Sequence, residues 1–188
     1  MKNLFAISAP SGTGKSTLCE EIRRKKSQIK FSISCTTRPK RNYEINGVNY
    51  YFLTNGEFMK KVDNHEFVEF EKVHGYYYGT LNNAIKDAIS SEELMLFDVD
   101  VNGAMSIKKK YPKNTFTIFI LPPSIEDLKM RLVNRGTDTI ERINKRLERT
   151  SKEMKFKDKF DTFMINDDLS SAIDKLNEII TNQNQGVA

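Results

Sequence analysis

Apolar and polar positions fall along the chain in two rhythms. Leu4 to Ser8 (LFAIS) is a short, nearly continuous apolar run that ends at a glycine-rich loop, which predicts a buried strand. From Ser16 to about Lys26, Leu18 and Ile22 recur at i, i+4, the spacing of one helical face. Leu94 to Val99 (LMLFDV) predicts a second buried strand, followed by a helix from Asn102 to Lys110 that Pro112 stops. Thr115 to Leu121 (TFTIFIL) is the clearest strand, rich in β-branched and aromatic residues and closed by Pro122-Pro123. Ser124 then predicts a helix N-cap, with Asp127 three residues on in a capping-box-like position. A short strand over Phe163–Ile165 and a helix over Leu169–Ile180 complete the pattern, and the final QNQGVA reads as frayed. Strands alternating with helices predict an α/β fold with a central parallel sheet covered by helices on both faces.

Two segments break this rhythm. Ser32 to Leu81 is rich in aromatics and in turn residues such as Asn46-Gly47, Asn55-Gly56, Gly75 and Gly79. In it the strand-like pieces VNYYFL and FVEFEKV flank a helical pattern near Glu57 to Val62, which predicts an inserted mixed or antiparallel lobe. Arg135 to about Lys159 is a highly charged helical stretch. The expected organisation is one domain, with a core of residues 1–33, 82–134 and 160–188, a lobe over about 34–81 and a helical lid over about 135–159.

Composition narrows the class. The chain has 188 residues, 38% of them hydrophobic and 29% charged, as expected of a soluble globular domain. No apolar run approaches membrane-spanning length, and MKNLFAISAP does not read as a signal peptide, so a cytoplasmic location is expected. Cys19 and Cys35 lack metal or disulfide spacing and read as free buried thiols; His65 and His74 read as surface or loop residues. The net charge of +5 suits anionic partners but names none.

The chemistry begins at SAPSGTGKST, Ser8 to Thr17. The phosphate-loop pattern is G-x-x-x-x-G-K-[ST], and here Gly14, Lys15 and Ser16 fit while Ala9 stands at the first glycine. Such a loop cradles phosphates with backbone N–H groups at a helix N-terminus. Lys15 would neutralise the β and γ phosphates and the Ser16 hydroxyl would reach Mg²⁺. Ala9 is tolerable at a strand end provided its φ is negative. In SCTTRPKR, Arg38 and Arg41 next to Ser34 suit a second phosphate, although a solvated basic turn also accounts for them. Glu69 and Glu71 alternate with Val68 and Phe70, so both can point one way from a strand, and a carboxylate can accept from guanine N1 and its 2-amino group. Tyr50 and Tyr78 offer hydroxyls. Asp98 and Asp100 stand at the C-terminal end of a strand, where open α/β sheets bind ligands, and either suits Mg²⁺ through water or the nucleotide. Arg142, Arg146 and Arg149 share one helical face and Ile140, Ile143 and Leu147 another. That spacing fits a solvated amphipathic helix or a lid that closes arginines over a phosphoryl group.

Taken together, SAPSGTGKST, SCTTRPKR, NGVNYYF, EFVEF, GYYYGT, FDVDVNG, PPSIEDLKMRLVNRGTDT, INKRLERT and INDDL resemble bacterial-type guanylate kinases, nucleoside monophosphate kinases, in the family's order from about Leu4 to Ile180. The resemblance implies a phosphate-loop kinase fold with core, GMP-binding lobe and lid. It implies transfer of the γ-phosphoryl of ATP to GMP, and to dGMP, with Mg²⁺, in purine nucleotide metabolism. It further implies that Ala9, Pro10, Ser11, Gly12, Thr13, Gly14, Lys15, Ser16 and Thr17 bind ATP, with Asn166 near the adenine. Ser34, Arg38, Arg41, Tyr50 and Tyr78 would bind the GMP phosphate, while Glu69, Thr80 and Asp100 would recognise guanine. Lys15, Arg135 and Arg146 would stabilise the transferred phosphoryl group, and Ser16, with Asp98 or Asp100 through water, would serve Mg²⁺. Ala9 for glycine resembles bacterial members, whereas Asn102 stands where the family more usually has glutamine.

Two readings from other classes have weaker support. A phosphopeptide-binding module of guanylate-kinase-like shape would lack an intact phosphate loop, and a nucleic-acid binder would carry a motif not found here. Another small phosphate-loop kinase is opposed by Glu69 and Asp100. The expected partners are therefore the small molecules ATP and GMP, with no nucleic acid and no membrane.

Overall fold

The computed structural model describes residues 1–185 other than positions 74, 135, 137 and 138, with the side chain of Arg149 also left undescribed. The chain opens with β1 (Leu4–Ser8), buried along its whole length as a strand covered on both faces must be. A glycine loop leads into α1 (Lys15–Lys25), which buries Leu18, Cys19 and Ile22 on one side. After β2 (Lys30–Phe31) come β3 (Cys35–Thr36) and β4 (Tyr51–Phe52). Helix α2 (Asn55–Asp63) starts at a full capping box of Thr54 and Glu57. The hairpin β5 (Phe67–Val73) and β6 (Tyr76–Leu81) runs directly into α3 (Asn82–Ser90). Next come β7 (Met95–Asp98) and α4 (Val101–Lys110), whose N-cap is Asp100. β8 (Thr115–Leu121) precedes α5 (Ile125–Asn134), whose start is held by Ser124, its hydroxyl accepting from the Asp127 N–H at 2.9 Å and donating to the Asp127 carboxylate at 2.5 Å. The charged helix α6 (Ile140–Met154), β9 (Thr162–Ile165) and α7 (Leu169–Gln185) end the chain.

The main sheet is parallel, in the order β2-β7-β1-β8-β9. Its alternating side chains feed two cores. Phe5, Ile7, Leu96, Ile118 and Ile120 pack with α1 and α7. Leu4, Ala6, Phe97 and Phe119 pack on the other face with Ile85 of α3 and with Ala104 and Ile107 of α4. At about 1.5–3 kcal/mol for each fully buried large apolar side chain, these layers are the main stabilising mass. The second sheet, in the order β4-β3-β6-β5, is mixed, with β3 and β4 parallel and the other pairs antiparallel. Its centre is small: Cys35, Phe58 and Phe67, with Phe58 stacked on Phe67 at 4.6 Å and on Tyr77 at 5.4 Å.

The strands expected over Thr115–Leu121 and Phe67–Val73 form with those bounds. The piece VNYYFL shrinks to Tyr51–Phe52, and α7 runs five residues past Ile180. β2, β3, β6 and α3 carry too few apolar positions to stand out; α3 has no side-chain cap and buries only Asn82, Ile85 and Ala88. Ile140 corrects the expected apolar face of α6. It is 74% exposed in the helix's first turn, while Ile143 and Leu147 pack on Leu128 and Leu132 of α5.

Candidate active site

The glycine loop sits where β1 hands over to α1. Gly12 (φ 91°) and Gly14 (φ 88°) hold left-handed conformations open to glycine at little cost, and Gly14 is the N-cap of α1. The first N–H groups of α1 therefore face the loop without helical partners, which makes an anion site. Outside glycine, positive φ among the described residues occurs only at His65 and Glu92, so Ala9 keeps a negative φ; its side chain packs against the core around β1. The loop is braced from within: the Thr13 hydroxyl and N–H both donate to the Pro10 carbonyl.

Asn166 braces the loop from below. Its Nδ2 donates to the Thr13 carbonyl at 2.7 Å, and it is only 5% exposed. A Cβ at Gly14 would lie 2.7 Å from that nitrogen, so the close approach also requires glycine. Arg131 of α5 in turn holds the carbonyls of Asn166 and Asp167 at 3.0 and 3.1 Å. Asn166, expected near the adenine, thus contacts the glycine loop itself.

Lys15 reaches across to the end of β7. Its Nζ donates to the Val99 carbonyl at 2.7 Å and pairs with Asp98, while the Ser16 hydroxyl donates to the other Asp98 oxygen at 3.3 Å. This places the loop's cation and hydroxyl on one carboxylate at the mouth of the sheet.

Opposite them the mixed sheet closes a cavity of about 220 Å³. Lys15 and Asp98 line its core side; Ser34, Tyr50, Glu69 and Tyr78 line its lobe side. Asp100 and Glu71 also face it. Residues from 15 to 100 in sequence thus converge on one space. Glu69 lies opposite Thr80 across the hairpin and accepts its hydroxyl proton at 2.5 Å. The register shifts between Phe67 and Glu69, so the simple alternation begins only after that bulge. Burial, with the Asp100 carboxylate adding to it, pushes Glu69 above the ordinary carboxylate value. Asp100 accepts from the Gly103 N–H at 2.7 Å as it caps α4. A Cβ at Gly103 would lie 3.2 Å from Asp100 Oδ1 and 3.4 Å from the Glu69 carboxyl carbon, so this glycine gives the two acids their space. Burial, then the nearby Asp98, raises the Tyr50 phenol, which stays a proton donor at neutral pH.

Arg38 and Arg41 stand back from this cavity. The Arg38 guanidinium is gripped at both ends by Glu44, at 2.6 and 3.0 Å, and lies 5.6 Å from the centre of the Tyr50 ring. Arg41 is exposed and donates to the Tyr43 hydroxyl at 2.9 Å. Arg146 is half-buried on α6, and Arg135 lies outside the described residues, as do His74 and Gly186 to Ala188 of the expected frayed end. Glu44 and Gly103 were missed by sequence reasoning. The one trace of Glu44 is an acid six residues after Arg38 in RPKRNYE, and that of Gly103 is its place after the acids of FDVDVNG.

Cys19 and Cys35 are free and buried; burial pushes the Cys19 thiol up and the Cys35 thiol to about 11, which leaves both unreactive at neutral pH. His65 is an exposed turn residue with φ 55°. Among the described residues no three acidic, His or Cys side chains gather as a metal cage, and no helix is long and apolar enough to cross a membrane.

The guanylate kinase family model matches residues 1–183. A guanylate kinase of Porphyromonas gingivalis is 45% identical over 182 residues, covering 96% of this chain and 97% of that one. One from Thermotoga maritima is 41% identical over 180 residues, covering 96% and 86%. The crystal structure of guanylate kinase from Anaplasma phagocytophilum superposes with a TM-score of 0.80 at 26% identity, covering 97% of this chain and 86% of that one.

Proposed function

This chain belongs to the guanylate kinase family, which transfers a phosphoryl group from ATP to GMP, and we propose that it does so across the cavity between the glycine loop and the mixed sheet. The single observation that carries the assignment of roles is that Lys15 and Asp98 line the same space as Ser34, Tyr50, Glu69 and Tyr78. Donor and acceptor groups thereby share one cleft.

On the donor side, the loop of Ala9 to Thr17 cradles the ATP phosphates with its N–H groups, Pro10 having none and Thr13 giving its own to the Pro10 carbonyl, and Lys15 exchanges its contact with Asp98 for the β and γ oxygens. Asn166 serves ATP through the loop it supports. On the acceptor side, Ser34, Tyr50, Tyr78, Arg38 and Arg41 hold the GMP phosphate; Arg38 is nearest the cavity and Arg41 has to swing from Tyr43 to join it. Glu69, aligned by Thr80, accepts from guanine N1 and its 2-amino group, with Asp100 beside it. Adenine lacks that pair of donors and would leave the buried acid unpaired. The named contacts fall on base and phosphate, so dGMP is accepted as well.

Ser16 and Asp98 are hard oxygen donors side by side, which fits Mg²⁺; with so few protein oxygens, phosphates and water would complete its shell. When bound, Mg²⁺ supplies charge neutralisation at the phosphates. The GMP phosphate is already an anionic nucleophile, so no general base is needed; in-line placement and charge cancellation carry the reaction. Arg146 and Arg135, from the segment over about 135–159, close over the transferring group and keep water out. The core, lobe and lid boundaries follow this division, and reduced, buried cysteines suit a cytoplasmic enzyme.

A coupled ADP-release assay with ATP, Mg²⁺ and each of GMP, dGMP, AMP, CMP and UMP tests this. Turnover is expected with GMP and dGMP. Silence with GMP, or equal turnover with AMP, overturns it.

A further inference from the structure

A buried carboxylate in a loop of a small lobe needs a reason. Glu44 belongs to no helix or strand, yet it is 5% exposed and fully engaged. Its Oε1 accepts from Arg38 Nη2 at 2.6 Å; its Oε2 accepts from Arg38 Nη1 at 3.0 Å and from the Arg41 N–H at 2.8 Å. Its own N–H donates to the Arg41 carbonyl at 3.1 Å, and its carbonyl accepts from Lys40 at 3.1 Å. One side chain therefore fixes the guanidinium of Arg38 and the backbone of the turn that carries Arg41.

We propose that Glu44 is a positioning residue of the acceptor site, setting which edge of Arg38 meets the acceptor phosphate and holding the Arg41 turn in place. This rests on the reading of Arg38 and Arg41 as acceptor-phosphate groups. A guanidinium has five N–H donors. Glu44 takes one from each terminal nitrogen, and the Pro39 carbonyl takes the second from Nη1 at 2.8 Å. The two that these oxygens do not take are on Nε and Nη2, next to the Tyr78 hydroxyl that also interacts with this guanidinium, and they form a parallel pair of the kind that grips a phosphate with two bonds. Packing completes the orientation: the guanidinium lies 5.6 and 5.7 Å from the ring centres of Tyr50 and Phe52, and the Arg38 N–H donates to the Thr36 hydroxyl at 3.2 Å. Without the carboxylate, Arg38 loses both of the bonds that Glu44 gives it, and an arginine freer to rotate gives up much of the benefit of preorganisation.

Glu44→Gln keeps the shape but removes the charge and one acceptor. Its KM for GMP should rise about tenfold or more, with the KM for ATP unchanged and kcat falling by a smaller factor. Glu44→Asp, which keeps the charge, should recover part of the loss and is the variant to use if Glu44→Gln does not fold. The decisive step is the Arg38→Ala background, where Glu44→Gln should change GMP affinity, read by calorimetry, by less than about twofold, because Arg38 is gone and the amide oxygen that Gln keeps still accepts from the Arg41 N–H that holds the turn. An undiminished effect there, or a parallel rise in the KM for ATP, shows general damage to the lobe and overturns the proposal. An unchanged KM for GMP in Glu44→Gln overturns it too. Failure of the wild-type chain to bind GMP would instead break the acceptor reading beneath it, so the two failures are distinguishable.

Discussion

The glycine loop and the mixed-sheet lobe, proposed to hold the donor and the acceptor phosphate, are built from different material. The loop offers backbone N–H groups. It is fixed by two left-handed glycines, by bonds of Thr13 to Pro10, and by Asn166 beneath it, and it hangs on a strand buried from end to end. The lobe offers side chains: hydroxyls of Ser34, Tyr50 and Tyr78 and the guanidinium of Arg38, carried on a sheet whose centre is little more than Cys35, Phe58 and Phe67. Backbone donors aligned by a helix bind a phosphate generically. Side chains on a thin sheet, with a buried Glu69 among them, can discriminate, but each must be oriented by a neighbour, as Thr80 orients Glu69 and Glu44 orients Arg38.

The contrast can be broken most forcefully at Lys15. Lys15→Met should lower kcat by about a hundredfold to a thousandfold or more, since a preorganised charge at the transferring group is lost. Residual turnover near wild type in the coupled assay would remove Lys15 from the reaction. Phe58→Ala attacks the lobe's centre. It should cost about 3–5 kcal/mol locally, and hydrogen exchange should show the amides of β5 and β6 opening while those of β1 and β8 stay protected. Equal loosening of both sheets would mean that the two are one cooperative unit.

Glu69→Gln should lower the preference for GMP over AMP by about tenfold to a hundredfold, the worth of charged hydrogen bonds in a buried site. An unchanged ratio takes Glu69 out of base recognition. A gentler probe is pH. Burial and Asp100 raise Glu69, so its protonated form persists above the usual carboxylate range, and the protonated acid is a poor acceptor for guanine donors. The KM for GMP should therefore climb as pH falls toward that raised value, and the climb should vanish in Glu69→Gln while the KM for ATP stays flat. A KM for GMP with no acid limb, or a limb that survives in the variant, would count against this.

The same contrast explains what the sequence made legible. SAPSGTGKST announces its chemistry because backbone geometry needs glycine at fixed places, and TFTIFIL announces its strand because both faces are buried. The lobe is harder to read because its strands are two to seven residues long with one partly exposed face; only β5 stood out with its bounds intact. Arg38 was visible as a basic residue near Ser34, whereas Glu44 looked like any acid in a polar turn. Its importance comes from a return of the chain between Arg38 and Tyr50 that no periodicity marks. Asn166 was visible only as part of INDDL, and its grip on Thr13, 153 residues away, is a tertiary contact that local pattern does not encode. Ile140 misled because helical spacing puts it on a face with Ile143 without saying where the partner helix ends.

The central claim is that donor and acceptor phosphates meet across one cleft but are held by separately built sites. Calorimetric titration of GMP into Lys15→Met tests it most directly. The account predicts a Kd within about twofold of the wild-type value, because independent sites contribute additively. A loss of about tenfold or more would contradict it, since Lys15 would then belong to the acceptor site as well.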